Sequence, residues 1–323
     1  MADTRESAAD VSVVVPAREA ADTLAGTLAS IAPEREVGEI LVVVAESRDA
    51  TRTIAEAAAA EDARIRVLDN PGGAIVPGLN IGWAAATGRY TAKIDADDLV
   101  RPGRFARQRT HLEAHPDHVA VTGGYDTISY QGAVVAEIGL EMAEGAVNDR
   151  LDGRQRAFTH FGAWLVRLET IRAIGGARPF FVTAEDMDLI FRLAEAGTVW
   201  HQPAAAYAYR LRDGSITHSA PGSRTSFFHQ CAIDFAADRR SRGSDALIDG
   251  RPPEPPAHDA AEAPLVRADT QAAGYLESEA WRHLGLGQRR RAWGQMVASL
   301  RLAPLDRSKW RSAAAMALRS LRR

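Results

Sequence analysis

The chain has 323 residues, 46% hydrophobic and 25% charged, with a formal net charge of −3. That length buries a substantial core and suggests one large or two modest domains. The charge balance argues against a nucleic-acid partner, a lone cysteine excludes an internal disulfide, and no apolar run approaches a membrane span.

Residues Met1 to Asp10 are polar and read as neither signal peptide nor anchor, so a cytoplasmic protein is expected. Val11 to Val15 is a β-branched run ended by Pro16, a good buried strand. Asp22 to Ile31 has helical spacing, Glu39 to Val44 is a second strand, and Ser47 to Ala60 an alanine-rich helix. Arg64 to Leu68 is a third strand before the turn Asn70-Pro-Gly-Gly73. Gly78 to Thr87 reads as a helix with Gly88 at C′, and Tyr90 to Ile94 as the fourth strand. Apolar strands alternating with helices at this spacing imply an α/β fold with a mostly parallel sheet covered on both faces.

Arg101 to His115 reads as helical, Val119 to Gly123 as a strand, and Asp126 to Ile138 as a hairpin turning at Gln131-Gly132. Glu141 to Arg156 is polar and irregular, and Phe158 to Leu168 is apolar. Glu169 to Ile174 is a short helix stopped by Gly175-Gly176. Thr183 is the predicted N-cap of a helix with Asp186 at N3, and Gly197 ends it. Val199 to Tyr209 is extended and Arg210 to His218 a polar loop. Phe227 to Arg240 is helical, with Cys231 as packing. A proline-rich loop covers about 249–264, and three amphipathic helices follow over Ala272–Leu284, Arg289–Leu302 and Lys309–Leu321. The expected division is 1–222 and 223–323.

The stretch with most chemistry follows the fourth strand: Asp95-Ala-Asp-Asp98. Consecutive carboxylates have nothing apolar to bury and repel one another, so they need water or a cation. The plainer alternative is a solvated turn whose Asp caps the next helix. Ligands of parallel sheets bind at the carboxyl ends of strands. Pro16 to Glu19, Ala45 to Ser47, Asp69-Asn70 and Asp95 to Asp97 all lie there and should line one crevice.

Four segments, in order, resemble the family 2 glycosyltransferases, inverting enzymes of the GT-A fold. They are Val11 to Glu19; Asn70-Pro-Gly-Gly and Leu79-Asn-Ile-Gly through Tyr90 to Asp98; Gly175-Gly176 with Ala184-Glu-Asp-Met-Asp188 through Gly197; and Pro203 through Arg210 to Thr217. The likeness covers about 11–220, and Leu79-Asn-Ile-Gly82 is most similar to the succinoglycan-type branch. The resemblance implies a nucleotide-sugar donor contacted by Pro16, Ala17, Arg18, Glu19, Glu46, Asn80, Lys93, Asp95 and Ala96. It implies Mg²⁺ or Mn²⁺ on Asp97, with Asp95 on the ribose or a metal-bound water, and Asp98 in support. Asp186 would be the base that deprotonates the acceptor hydroxyl. Glu185, Trp164 and His160 would border the acceptor, although core packing is the alternative for the aromatics and capping for Glu185.

Two departures stand out. The Asp-Asp-Gly-Ser usual at the second strand's end is here Val44-Ala-Glu-Ser47, leaving Glu46 to substitute, while Ser47, Asp49 and Thr51 keep the pattern. A histidine common before the fourth segment's Gly-Ser is replaced by Arg212, which can clamp a diphosphate; His218 is nearby. Two other readings stay open: a degenerate sugar-nucleotide-binding module, and a nucleotidyltransferase, for which Pro16 to Glu19 lacks the glycine-rich, lysine-bearing loop. In 281–323 eleven residues are basic and Asp306 alone is acidic. Such helices can hold an enzyme at an anionic membrane, here the inner face of the plasma membrane with carbohydrate or lipid-linked acceptors, or can pack on the catalytic domain.

Overall fold

Val11-Ser-Val-Val-Val15 and Ile40-Leu-Val-Val-Val44 are buried on both sides, and that burial decides the architecture. The structure, a computed structural model, describes residues 9–151, 159–213, 223–256 and 267–321. Strands β1 (Val11–Ala17), β2 (Val37–Ala45), β3 (Ile65–Asn70) and β4 (Tyr90–Lys93) alternate with helices α1 (Leu24–Ile31), α2 (Thr51–Glu61) and α3 (Ile75–Ala85). Then come β5 (Leu99–Val100), α4 (Arg104–Ala114), β6 (His118–Ile128), β7 (Val134–Ile138), β8 (Gly145–Ala146), β9 (Leu165–Arg167) and α5 (Leu168–Ala173). The remainder is α6 (Glu185–Ala196), β10 (Thr198–Arg210), α7 (Ser223–Arg242), α8 (Ala268–Gly285), α9 (Arg289–Leu302) and α10 (Arg307–Leu321).

The sheet runs β3-β2-β1-β4-β9-β6-β10-β5. β1 pairs in parallel with β2 and with β4, and β2 with β3. The order therefore reverses between β1 and β4, where an open α/β sheet leaves a crevice at its carboxyl edge. β9 is antiparallel to both β4 and β6, so β6 runs in the direction of β4. This is the GT-A arrangement that the four sequence segments imply.

Gly88 is not the C′ residue expected. α3 ends at Ala85, and Gly88 lies where a Cβ would stand 2.5 Å from the Asp10 carbonyl oxygen and 2.6 Å from Ser12 Oγ. The demand is close approach to β1: the Gly88 N–H donates to Ser12 Oγ at 2.8 Å. Gly175 and Gly176 do stop α5, with φ of 77° and 68°.

The described residues fall into two compact units. The first comprises Met1–Tyr125, Ile138–Ala208 and Ser223–Asp259. Helix α7, grouped by sequence with the C-terminal region, belongs here because Phe228, Cys231 and Phe235 are buried in this unit's core. Phe180 meets Phe181 and Phe228 edge-on at 5.2 and 5.3 Å, geometries that aromatic quadrupoles favour. Burial, then Asp234, pushes the Cys231 thiol up to about 11, so it packs as an inert apolar group. The second unit comprises Asp126–Glu137, Tyr209–Gly222 and Ala260–Arg323. It holds the expected hairpin, in which the Ser129 N–H donates to the Ala133 carbonyl at 2.8 Å. Its helices α8, α9 and α10 close around Ala280, Leu284, Ala292, Met296, Ala313 and Met316.

Candidate active site

Parallel pairing brings the strand ends to one edge, as the alternation predicts. Ala17 is level with Val44, and Ala45 with Asn70. The loop after β1 is then fastened by the loop after β2. The Glu19 N–H donates to Ser47 Oγ (3.1 Å), the Ala20 N–H to Thr51 Oγ1 (2.8 Å) and the Ala21 N–H to Asp49 Oδ2 (2.9 Å). Ser47, Asp49 and Thr51 are thus positioning residues for the loop Pro16–Glu19. Glu19 adopts a left-handed backbone, φ 48°, and its carboxylate accepts from the Arg48 N–H at 2.8 Å. A non-glycine residue held there costs about 1–2 kcal/mol, which the surrounding bonds offset. Arg18 and Glu46 are exposed at this edge, Ala17 is buried and Pro16 half-buried.

β4 ends in Lys93, buried, whose ammonium lies 2.5 Å from Asp95 Oδ2. Burial works against the Lys93 charge, but Asp95, then Glu185 and Asp186, raise its pKa above the usual lysine range. Burial likewise opposes the Asp95 charge, and Lys93, His160 and Tyr207 together hold that carboxyl below its ordinary value. Asp97 is half-buried, and Asp98 is fully buried. Thr23 Oγ1 donates to the Ala96 carbonyl at 2.9 Å, tying α1 to the acidic turn.

Tyr207, from β10, is the organising residue that sequence reasoning missed. Its hydroxyl oxygen accepts from the Asp95 N–H at 3.2 Å and lies 3.2 Å from Asp95 Oδ2 and 2.5 Å from Asp98 Oδ2. One hydroxyl has one proton, so the shorter contact takes it, and Asp98 becomes the support of the turn. Burial and both carboxylates push the Tyr207 pKa well up, which keeps it a donor. Gly162 makes room for the ring: a Cβ there would stand 2.3 Å from Tyr207 Cζ.

The second half of the site is the start of α6. Thr183 is not its cap: the helix begins at Glu185, after Ala184 in a left-handed conformation, φ 60°. Asp186 instead receives the Met187 N–H at 2.8 Å, a local carboxylate partner for the helix start. Burial, then Asp186, pushes the Glu185 carboxyl up to about 7, with Asp95 adding to the rise and Lys93 opposing it. Lys93 and Glu185 each respond to residues of the other segment, so strand end and helix start form one electrostatic unit. Farther along, Asp188 is fully buried; Arg178 reaches both its oxygens and Arg192 Nε lies 2.9 Å away. Arg192 also donates to the Ile174 and Gly176 carbonyls at 2.8 and 2.6 Å, pinning α6 to the preceding turn.

His160 stacks on Tyr207 at 5.0 Å, and its Nδ1 accepts the Gly162 N–H at 3.1 Å. The structure therefore brings His160 to the acidic turn. Trp164, expected beside it, is instead wholly buried, its Nε1–H donating to Thr159 Oγ1 at 3.0 Å, so no sugar can stack on it. Asn80 is occupied at both ends of its amide: Nδ2 donates to the Ala177 carbonyl and Oδ1 accepts the Ala177 N–H, each at 2.9 Å. It clamps α3 to the turn before α6. Arg212 lies in the second unit, where its carbonyl accepts from Gln271 Nε2 at 3.0 Å. His218 and Gly214 to Thr217 fall outside the described residues.

The described carboxylates suit a hard divalent cation by chemistry, since Mg²⁺ and Mn²⁺ take oxygen ligands. Asp97 and Asp95 keep partial exposure, whereas Asp98 is sealed against Tyr207.

Comparison with known proteins agrees with this fold. The model of the family described as glycosyl transferase family 2 matches residues 12–175, more than half of the chain. Succinoglycan biosynthesis protein ExoO of Rhizobium meliloti is 32% identical over 231 residues, 64% of this chain and 62% of that protein. ExoA of the same organism is 27% identical over 210 residues, 62% of this chain and 63% of that protein. The chain thus spans less than two thirds of either relative. Among solved structures, S. aureus TarS 1-349 in complex with UDP-GlcNAc superposes with a TM-score of 0.59 at 17% identity, covering 92% of this chain and 83% of that one. The same protein in complex with UDP gives 0.56 at 14% identity, covering 85% and 72%; at such identities the likeness is one of fold.

Proposed function

Because the chain belongs to glycosyl transferase family 2, we propose that it moves a sugar from a nucleoside-diphosphate donor to a hydroxyl acceptor, with inversion, in polysaccharide or glycolipid synthesis. The observation that carries this is the buried Lys93–Asp95 pair sharing its field with Glu185 and Asp186. Asp186 takes the acceptor's proton, the freed oxygen attacks the anomeric carbon, and the bond to the diphosphate breaks with its electron pair leaving on phosphate. Asp97 and Asp95 would hold Mg²⁺ or Mn²⁺, whose chemistry is to neutralise the departing diphosphate. Tyr207 fixes the turn that presents both carboxylates. Glu185 borders the acceptor, and His160, stacked on Tyr207, lines the acceptor side of the acidic turn. The strained loop Pro16–Glu19, with Glu46 and Lys93, receives the nucleotide.

UDP and UDP-GlcNAc bound in the TarS structures support a nucleotide-sugar donor, and the succinoglycan relatives support a polysaccharide product. Membrane contact is supported by the second unit's surface. No helix among the described residues is long and apolar enough to cross a membrane, but Leu305 is 94% exposed and Trp310 55% exposed beside Arg301, Arg307 and Arg311. Apolar anchors among arginines suit an anionic interface.

The test is release of nucleoside diphosphate from a panel of nucleotide sugars, after chelation and then with Mn²⁺ restored. Metal-dependent release from at least one donor is expected. Tight donor binding without any release would favour the degenerate binding module instead.

A further inference from the structure

A second constellation of ligating side chains lies at the other edge of the sheet. The segment His111-Leu-Glu-Ala-His-Pro-Asp-His118 closes α4 and opens β6. β6 runs with β4, so its first residue, His118, is at the amino edge, whereas Asp95 follows the carboxyl end of β4. One ligand atom each from His115, Asp117 and His118 lies within 4.8 Å of the others. His118 Nε2 is 3.8 Å from Asp117 Oδ2.

The cluster is built on rigid backbone. The His115 N–H donates to the His111 carbonyl at 3.0 Å and the His118 N–H to the His115 carbonyl at 3.1 Å. The buried Arg167 guanidinium donates to the carbonyls of Leu112 (2.6 Å), His115 (3.1 Å) and His118 (2.8 Å). Trp200 stacks over His111 and His118, with ring centres 5.0 and 5.3 Å away. His118 Nδ1 is hydrogen-bonded to His111 Nε2 at 2.8 Å, so His118 turns Nε2 toward Asp117. An outer partner that fixes which imidazole nitrogen faces the ion is a regular feature of histidine metal sites.

We propose that His115, Asp117 and His118 bind one divalent transition ion of the Zn²⁺ class, with His111 as the outer partner orienting His118. Zinc bonds of about 2.0–2.2 Å in a tetrahedron put neighbouring ligand atoms roughly 3.3–3.5 Å apart. His115 stacks on His118 with ring centres 4.8 Å apart, so on binding the exposed His115 ring turns about its side-chain torsions to aim a nitrogen at the ion. Two imidazoles and one carboxylate favour Zn²⁺, Co²⁺, Ni²⁺ or Cu²⁺ over the hard ions suited to Asp95 and Asp97. Three protein ligands leave a fourth position for water or another ligand. The ion braces the junction of α4 and β6 at the edge away from the transfer site, so the inference stands whether or not the transferase reading does.

The probe is Co²⁺, added to the full chain made without a histidine tag and stripped of metal. Visible bands of a tetrahedral site should saturate at one equivalent, be displaced by Zn²⁺, and persist in excess Mg²⁺. His115 and Asp117 are exposed, so His115→Ala and Asp117→Asn should fold normally and each weaken Co²⁺ binding at least tenfold. His111→Ala should weaken it about 10–100-fold, as loss of an outer partner does. Asp97→Asn should leave it unchanged. Binding unaltered by His115→Ala, loss of the bands in Asp97→Asn, or absence of tetrahedral bands in the wild type would each overturn the proposal.

Discussion

Helix α6 carries two sets of charges, one at its first turn and one only a turn farther on, and they are built on opposite rules. At Asp188 the carboxylate is buried but met by Arg178 and Arg192, and Arg178 and Arg239 together meet Asp245. Burial opposes the Asp245 charge, yet the Ile248 N–H, Arg239 and Arg178 hold its carboxyl below its ordinary value. At Glu185 burial and the neighbouring Asp186 act in the same direction, and the carboxyl rises to about 7. Matched charge fixes a helix; crowded like charge stores a demand for a cation or a proton. The anchored set thus positions the set that is left electrostatically unsettled, the usual mark of a working site.

The comparison can be broken at either end. The largest effects should come from the crowded set and the acidic turn after β4: Asp186→Asn and Asp97→Asn should each lower transfer about 10²–10⁴-fold, with urea midpoints within experimental spread of wild type. Arg178→Met should do the reverse, because it strands Asp188 and Asp245; about 3–5 kcal/mol of stability should be lost in urea unfolding. Tyr207→Phe sits between the two sets in kind. It removes one hydroxyl that serves Asp95 and Asp98, and should cost about 1–3 kcal/mol together with a fall in donor turnover.

The last expected effect concerns pH. The Glu185 carboxyl is raised in the folded chain, so the native state holds the extra proton between its ordinary value of 4.5 and about 7. Stability from this group is present below that window and lost as pH rises through it. In metal-free protein, Glu185→Gln should match wild type near pH 4 and be the more stable of the two near pH 8. Equal urea midpoints at both pH values would show that Glu185 is not held protonated.

Some of the site was legible because its signals are local. A buried strand running into Asp95-Ala-Asp-Asp98 is visible in ten residues, and parallel pairing follows from the apolar strands around it. That Asp186 meets this turn was carried by family resemblance alone, since nothing in its helical spacing points to β4. Tyr207 was invisible for a plainer reason: it lies 112 residues from Asp95 and looks like any strand tyrosine. The predicted Thr183 cap failed because chain entry through left-handed Ala184 overrides side-chain preference. Trp164 and Asn80 went to packing because the core offered each polar end a partner, Thr159 and Ala177 respectively.

The central claim is that the end of β4 and the start of α6 serve one reaction. The most direct measurement is donor binding and single-turnover release of nucleoside diphosphate, both on Asp186→Asn with Mn²⁺ present. Unchanged donor affinity with turnover lowered at least about a hundredfold is the predicted result. Near-normal turnover in that variant would contradict the claim.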